Sequence, residues 1–270
     1  MDLKSMLVAL AVLVVLVLVY SLIEPYLVRV NDVTISDSRV PQKFVGRRIA
    51  YLSDIHCGPF LSVERVRQVV DLTNAQKPDI ILLGGDYVLG GKGLIRPCVG
   101  ELAHLQAPLG VYAVLGNHDN WAGHDESVKA LEDSGIKVLD NSGVWVAQDD
   151  GRIRLAGVGD LWTESSDLKP ALGEATAKDY ILLLSHNPQY EERADVSGIS
   201  LVLSGHTHGG QILPVRLLAP YLPSMLHQRY VAGLYEKGGT RIFVTNGIGM
   251  TFLPVRFMSR PEIVIVTLRK

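Results

Sequence analysis

Cysteine is nearly absent: Cys57 and Cys98 are the only two among 270 residues. Two thiols do not make a disulfide framework, and each reads as a small apolar packing residue. Neither sign of charge dominates, with 26 basic against 28 acidic residues. That balance excludes the basic footprint of a nucleic-acid-binding domain. There is no internal repeat, which excludes solenoids and propellers, and no low-complexity segment outside one apolar run. The length that remains suits one large domain or two small ones, either with a substantial core.

The apolar run is the clearest feature that is present. From Met6 to Ile23 the chain carries no charge, and Ser21 is its one strongly polar residue. Eighteen residues rising 1.5 Å each reach about 27 Å, close to the hydrocarbon thickness of a bilayer. A secretory signal peptide is the rival reading, with Lys4 as its charged start. The run is long for that purpose, and "VYSLIEP" offers no small-x-small cleavage site, so the expectation is an uncleaved single-pass anchor in the cell (inner) membrane. Tyr20 and Tyr26 fall where interfacial rings sit. Orientation stays open: Arg29, Arg39 and Lys43 after the span lean toward a cytoplasmic main domain, and Lys4 with the amino terminus leans the other way.

Beyond the anchor (1–24), residues 25–48 read as a connector with a first strand near "YLVRVNDVTI". Residues 49–270 then alternate short apolar runs with helical stretches. "RIAYLSD", "DIILLGGD" and "GVYAVLGNHD" read as buried strands. Between them, residues 62–76 place Val63, Val66, Val69 and Val70 on one helical face, and a second helix lies around 94–106. This alternation predicts a parallel sheet with right-handed crossovers. "VKALEDSG" adds a helix, "QDDGR" a hairpin turn, and "YILLLSHNP", "ISLVLSGHTHGG", "TRIFVTNG" and "EIVIVTL" further strands.

Five of these strands end in polar clusters: "SDIHCG", "GGDYV", "GNHD", "SHNP" and "SGHTHGGQ". A single such ending is ordinary turn chemistry. Five together point to one site in the crevice beyond the carboxyl ends of the strands. Their ligand types, carboxylate, imidazole and amide oxygen, suit borderline divalent ions rather than a thiolate centre. Asp54, His56, Asp86, Asn117, His186, His206 and His208 exceed what one tetrahedral zinc needs and suffice for two ions sharing a carboxylate. The surrounding glycines allow close backbone approach to metal and phosphate oxygens.

In order and content the clusters resemble the blocks of the calcineurin-like metallophosphoesterases: D-x-H, G-D, G-N-H-D/E, a lone H, and G-H-x-H. "GHTHGGQ", "GGDYV", "AGVGDLW" and "FLPVRFM" look closest to a bacterial, membrane-associated phosphodiesterase branch, and the likeness covers nearly everything after residue 24. The resemblance implies an α/β fold, a four-layer αββα sandwich of two mixed sheets, with the apolar helix in front. It assigns Asp54, His56 and His208 to a first ion, Asp86 to a bridge, and Asn117, His186 and His206 to a second, with manganese first and iron or zinc as alternatives. His118 is expected to protonate the leaving oxygen or steady the phosphate. One departure stands out. Where many members have a second Asp in G-D-x-x-D to orient that histidine, this chain has Leu89, leaving Asp119 or a backbone carbonyl for the task.

The expected activity is two-metal phosphodiester hydrolysis, with an anchor that favours a membrane-associated or lipid-linked phosphodiester or pyrophosphate. Cleavage of UDP-2,3-diacylglucosamine is one specific form, and a broad activity on soluble nucleotides is the competing one. A membrane-tethered module that binds metal without catalysis is the rival from another class. His104, His124 and His227 read as ordinary surface or half-buried residues. Asp160 and Trp162 either border the cleft or serve turn and packing. The apolar, proline-rich stretch 212–229, with Arg216 and Arg229, reads equally as a packed loop and as a lip touching membrane or lipid. Oligomeric state is not legible.

Overall fold

Twelve strands form two six-stranded mixed sheets in the computed structural model, which describes residues 2–218 and 229–270. The first sheet has the order β1 (Arg29–Ser36), β12 (Glu262–Arg269), β2 (Arg48–Leu52), β3 (Ile80–Leu83), β4 (Val111–Ala113), β5 (Lys137–Val138). The second has the order β10 (Gly233–Lys237), β11 (Thr240–Val244), β9 (Leu201–Ser204), β8 (Ile181–Leu184), β7 (Gly151–Gly157), β6 (Ser142–Gln148). In the first, β2 to β5 run parallel and β12 runs antiparallel to β2. In the second, β7, β8, β9 and β11 run parallel, with β6 and β10 antiparallel at the edges.

The apolar runs are continuous because both faces of each strand are covered. In β2, Ile49 and Tyr51 point between the sheets, while Ala50 and Leu52 point to the outer helices. The same split divides Ile80 and Leu82 from Ile81 and Leu83 in β3, and Leu182 and Leu184 from Ile181 and Leu183 in β8. Helices α2 (Val63–Ala75), α3 (Ile95–Leu102) and α4 (Asn117–Asp133) cover the first sheet. Ala171 of α5 (Leu168–Leu172) and Tyr190 of α6 (Tyr190–Arg193) pack on the outer face of the second, completing the four layers.

Two features differ from the sequence reading. Helix α4 begins at Asn117, inside the "GNHD" cluster, and breaks at Gly123, whose φ of 145° suits only glycine. The cysteines do not pack as separate apolar residues; Cys57 and Cys98 form a disulfide. They are 41 residues apart, and the β2–α2–β3–α3 path returns Cys98 to the loop after β2, a closeness that spacing alone does not reveal.

Helix α1 (Leu3–Ile23) is apolar, long enough to cross a membrane, and almost wholly exposed until its last turn. There Ser21 and Glu24 become buried against the domain.

Candidate metal centre

All five polar clusters leave the carboxyl ends of parallel strands, β2, β3, β4, β8 and β9, so the two sheets deliver them to one end of the sandwich. Ligating atoms of Asp54, His56 and His208 lie within 4.8 Å of one another, as do those of Asp86, His186 and His206. The two groups meet at Asp86, whose Oδ2 is 3.3 Å from His56 Nε2 and 3.3 Å from His186 Nε2. Ligating atoms of His56, Asp86 and His118 form a third such group. Asn117 is buried where β4 turns into α4, and its Oδ1 has no hydrogen-bond partner among the described residues.

The backbone is as unusual as the side chains. Asp54, His56, Asp86, His206 and His208 all have positive φ, between 48° and 68°. Left-handed backbone costs a residue with a Cβ roughly 1–2 kcal/mol, so five such residues oppose folding by roughly 5–10 kcal/mol. That rivals the net stability of a whole domain. The loops hold because hydrogen bonds fix them. Asp54 N donates to Gly85 O at 2.9 Å, His56 N to Asp86 O at 2.9 Å, and His206 N to Asp54 Oδ1 at 2.8 Å. Gly116 and Gly205 admit no side chain, since a Cβ there would overlap the carboxylates of Asp86 and Asp54.

Asp119 carries much of this scaffold. Its carboxylate accepts from Asp86 N at 2.7 Å, Tyr87 N at 2.8 Å and Gly116 N at 3.0 Å. Burial beside Asp86 pushes its pKa up to about 7, against the pull of the Gly116 and Tyr87 N–H groups. It therefore clamps two ligand loops and does not orient the His118 ring. No hydrogen bond reaches that ring from the described residues; it is held edge-on between His56 and Trp121, 4.8 Å from each, while its backbone N–H donates to Asp86 Oδ1 at 2.9 Å. Leu89 is half-buried and supplies nothing polar in place of the missing carboxylate.

The donor set fits cations. His56 Nε2 and His208 Nε2 are 3.0 Å apart, and His206 Nδ1 and His186 Nε2 are 3.3 Å apart, so pairs of ring nitrogens converge beside two buried carboxylates. His186 Nδ1 lies 2.8 Å from Gly84 O; a carbonyl only accepts, so Nδ1 carries the hydrogen and Nε2 is the atom turned inward. Burial, with the charge of His186, lowers the His206 pKa to about 3, and burial with His56 and Arg256 holds His208 well below its ordinary value. Burial works against ionising Asp86, but His186 and His56 outweigh it and keep the carboxyl low. The same Asp86 holds His186 well above its ordinary value, again against burial.

Residues outside the clusters complete the surroundings. Arg256 is fully buried and spans the metal loop and the C-terminal loops, with Nη2 2.8 Å from Asn246 O and 3.4 Å from His208 Nδ1. Trp121 and Trp162 stand at the two sides of the centre, Trp121 against His118 and Trp162 against His206 at 4.4 Å. Both rings line an open cleft of about 620 Å³ with Asn120, His124, Thr163 and Glu164. His124 is half-buried there, 3.3 Å from Asp140, while His104 is exposed. His227 lies outside the described residues, as does most of 212–229.

A profile of the calcineurin-like phosphoesterase family matches residues 47–210. The metallophosphoesterase YkuE of Bacillus subtilis is 31% identical over 252 residues, covering 92% of this chain and 87% of YkuE. The chain belongs to the calcineurin-like phosphoesterase family. Phosphodiesterase YaeI of Escherichia coli is 34% identical over 225 residues, 82% of each chain. A transmembrane protein with a metallophosphoesterase domain from Danio rerio is 33% identical over 90% of this chain, which spans 57% of that longer protein. Among solved structures, the Haemophilus influenzae NAD nucleotidase superimposes with a TM-score of 0.50 at 19% identity, over 74% of this chain and 45% of that one, a likeness of fold. The protein is thus a phosphoric ester hydrolase of a family that uses a dinuclear metal centre, and it carries the candidate ligand clusters for one.

Proposed function

We propose that the protein is a membrane-anchored phosphodiesterase with two divalent ions, manganese first among the candidates. Asp54, His56 and His208 hold one ion, Asn117, His186 and His206 the other, and Asp86 bridges. The observation that carries this reading is Asp86 Oδ2 midway between an imidazole of each cluster. Two bound ions supply charge for the phosphoryl oxygens and lower the pKa of an attacking water. His118, fixed through its backbone N–H to Asp86, delivers a proton to the departing oxygen. Trp121 and Trp162 flank the phosphate position and receive the alcohol portions of a diester in the cleft between them.

The substrate in this reading is a phosphodiester or pyrophosphate at the membrane, lipid-linked in keeping with the anchor. We place the catalytic domain on an oxidising side of that membrane. A Cys57–Cys98 disulfide persists there and not in the reducing cytosol, which opposes the lean of the basic residues after the span.

The test is metal content and turnover of purified full-length protein, on an activated aryl phosphodiester and on a panel of lipid phosphodiesters and nucleotides. Two ions per chain, with both lost or weakened in Asp86→Asn, support the binuclear centre. One tightly held ion with no second at saturating manganese sinks it, and absence of turnover in the loaded protein sinks the catalytic reading.

A further inference from the structure

The anchor helix does not leave the domain by a free linker. Glu24, fully buried just beyond the helix end, accepts the backbone N–H groups of Met258 at 2.9 Å and Ser259 at 2.6 Å. Arg256 N donates to Ser21 O at 2.9 Å, and the Tyr20 ring meets the Phe257 ring at 6.2 Å. The last turn of the helix is thereby fastened to the 251–259 loop.

That loop is also fastened to the metal loop. Gln211 Nε2 donates to Thr251 O and Leu253 O, both at 3.0 Å, and Leu213 N donates to Phe257 O at 2.9 Å. Phe257 therefore joins three segments: the anchor, the 251–259 loop, and α7 (Leu213–Leu218). On the outer side of this junction apolar residues face solvent. Phe252 is 94% exposed, Leu253 61% and Met258 57%, and Leu217 and Leu218 of α7 are exposed too. Phe252 and Met258 adopt φ of 58° and 56°, so the chain accepts left-handed backbone at two exposed apolar side chains.

Topology puts this patch at the site end of the molecule. Strand β1 enters beside Glu262, where β12 begins, and β12 runs antiparallel to β2, so the anchor arrives at the end where β2 delivers Asp54 and His56. The apolar patch thus continues the surface of a membrane-crossing helix at the level where that helix ends.

We propose that Phe252, Leu253, Met258, Leu217 and Leu218 sit in the headgroup and upper acyl region of the bilayer that α1 crosses, holding the metal centre against the membrane surface. The lipid surface is the occupant because the patch is continuous with the anchor through Tyr20, Phe257 and Arg256. This rests on residues 3–23 being an anchor, and it deepens the proposed function by giving the enzyme lipid-phase phosphodiesters as its nearest substrates. Seating apolar side chains beside an anchor adds hydrophobic transfer to a chain already tethered.

The experiment uses full-length protein in nanodiscs of phosphatidylethanolamine and phosphatidylglycerol. A polarity-sensitive fluorophore is attached at Phe252→Cys, and separately at Asp149→Cys in the exposed β6–β7 turn, at the opposite end of the second sheet. Aryl phosphodiester turnover equal to wild type in detergent confirms that each labelled chain is folded. The expected result is a blue-shifted label at 252, quenched by shallow lipid-borne nitroxides and several-fold less by aqueous iodide than the label at 149. Equal iodide quenching at both positions, in a chain that stays with the disc and keeps its N-terminus by mass, overturns the seating while leaving the anchor intact. A chain cleaved near residue 24 and free of the disc overturns both.

Discussion

Asp119→Asn is the sharpest test of what holds the metal loops. Asparagine keeps the shape of the side chain, yet only one of its two terminal atoms accepts hydrogen bonds. In the wild type Oδ2 serves Asp86 N and Gly116 N, and Oδ1 serves Tyr87 N, with Val88 N at 3.4 Å. Whichever way the amide turns, its NH2 faces backbone donors at a site 1% exposed to solvent. Each hydrogen bond to the charged group is worth about 1.5–3 kcal/mol, and a buried donor left unpaired costs about 1–3 kcal/mol. The expected loss is therefore about 3–5 kcal/mol. For a catalytic domain of this size that is a fall in Tm of about 6–20 °C. Asp86 loses the bond that fixes its left-handed backbone, so manganese binding should weaken by about 10–100-fold. The assay is a thermal scan of metal-free protein with a manganese titration at pH 8, above the carboxyl pKa of about 7. Asp125→Asn, at a fully exposed carboxylate, serves as the control. If Asp119→Asn matches wild type in both Tm and manganese affinity, the clamp assigned to Asp119 is wrong.

His118→Ala should slow esters with poor leaving groups by about 10²–10⁴-fold and activated aryl diesters far less, with metal content unchanged; lost metal would make His118 a ligand, and equal slowing of all substrates would reduce it to phosphate binding. Metal binding near pH 7 should release protons, because Asp86 holds His186 well above its ordinary pKa and a ligand must be neutral; calorimetry in buffers of different ionisation heat reads this directly, and identical heats refute it. In the metal-free protein the raised His186 value contributes stability that is full below about pH 6.5 and fades as pH rises through the higher folded value. Intact-mass measurement of membrane-extracted protein should find residues 6–23 retained, whereas a soluble chain beginning near residue 24 identifies a signal peptide.

Most of the fold was legible because the buried strands are short apolar runs closed by polar turns, and covering on both faces leaves no alternation to misread. Elements whose signal is weaker escaped or shifted. The edge strand β10, "GLYEK", has no buried residue and no apolar alternation, so nothing in its pattern separates it from a loop. The start of α4 was hidden because "GNHD" reads as a strand ending, while Asp119 in fact caps the helix with its carboxylate on Gly116 N. The disulfide depends on a β–α–β–α return that no residue spacing encodes.

The seven candidate ligands were legible from residue type and order alone, and six of them, Asp54, His56, Asp86, His186, His206 and His208, lie in clusters of ligating atoms. Their backbone was not. A left-handed aspartate or histidine looks like any other in a sequence, so the strain at Asp54, His56, Asp86, His206 and His208 appears only in φ. Asp119 was visible as an acid in the right block, but its role turns on direction, toward backbone N–H groups and away from the His118 ring. Trp162 was legible as a residue that either borders the cleft or packs a turn, and it lines the cleft, whereas Trp121 gave no spacing signal.

Arg256 carries a signal that the sequence itself displays. It is a lone charge inside the otherwise apolar "FLPVRFM", and an ion in such a run must either reach solvent or be fully satisfied. Here it is fully buried. Its guanidinium donates to the carbonyls of Asn246, Gly249 and Ser259, and burial draws its pKa only to about 10, so it stays charged at neutral pH. That fixed cation lies beside His208 and helps keep the imidazole neutral, the state in which it can donate to a metal. The same residue offers its backbone N–H to the Ser21 carbonyl of the N-terminal apolar helix. One arginine thus ties the end of the apolar helix to the loop that carries His206 and His208. The join is a backbone N–H at the helix end and guanidinium contacts at the loop end, so the position of that loop relative to the helix is fixed by the fold and not left to a flexible linker.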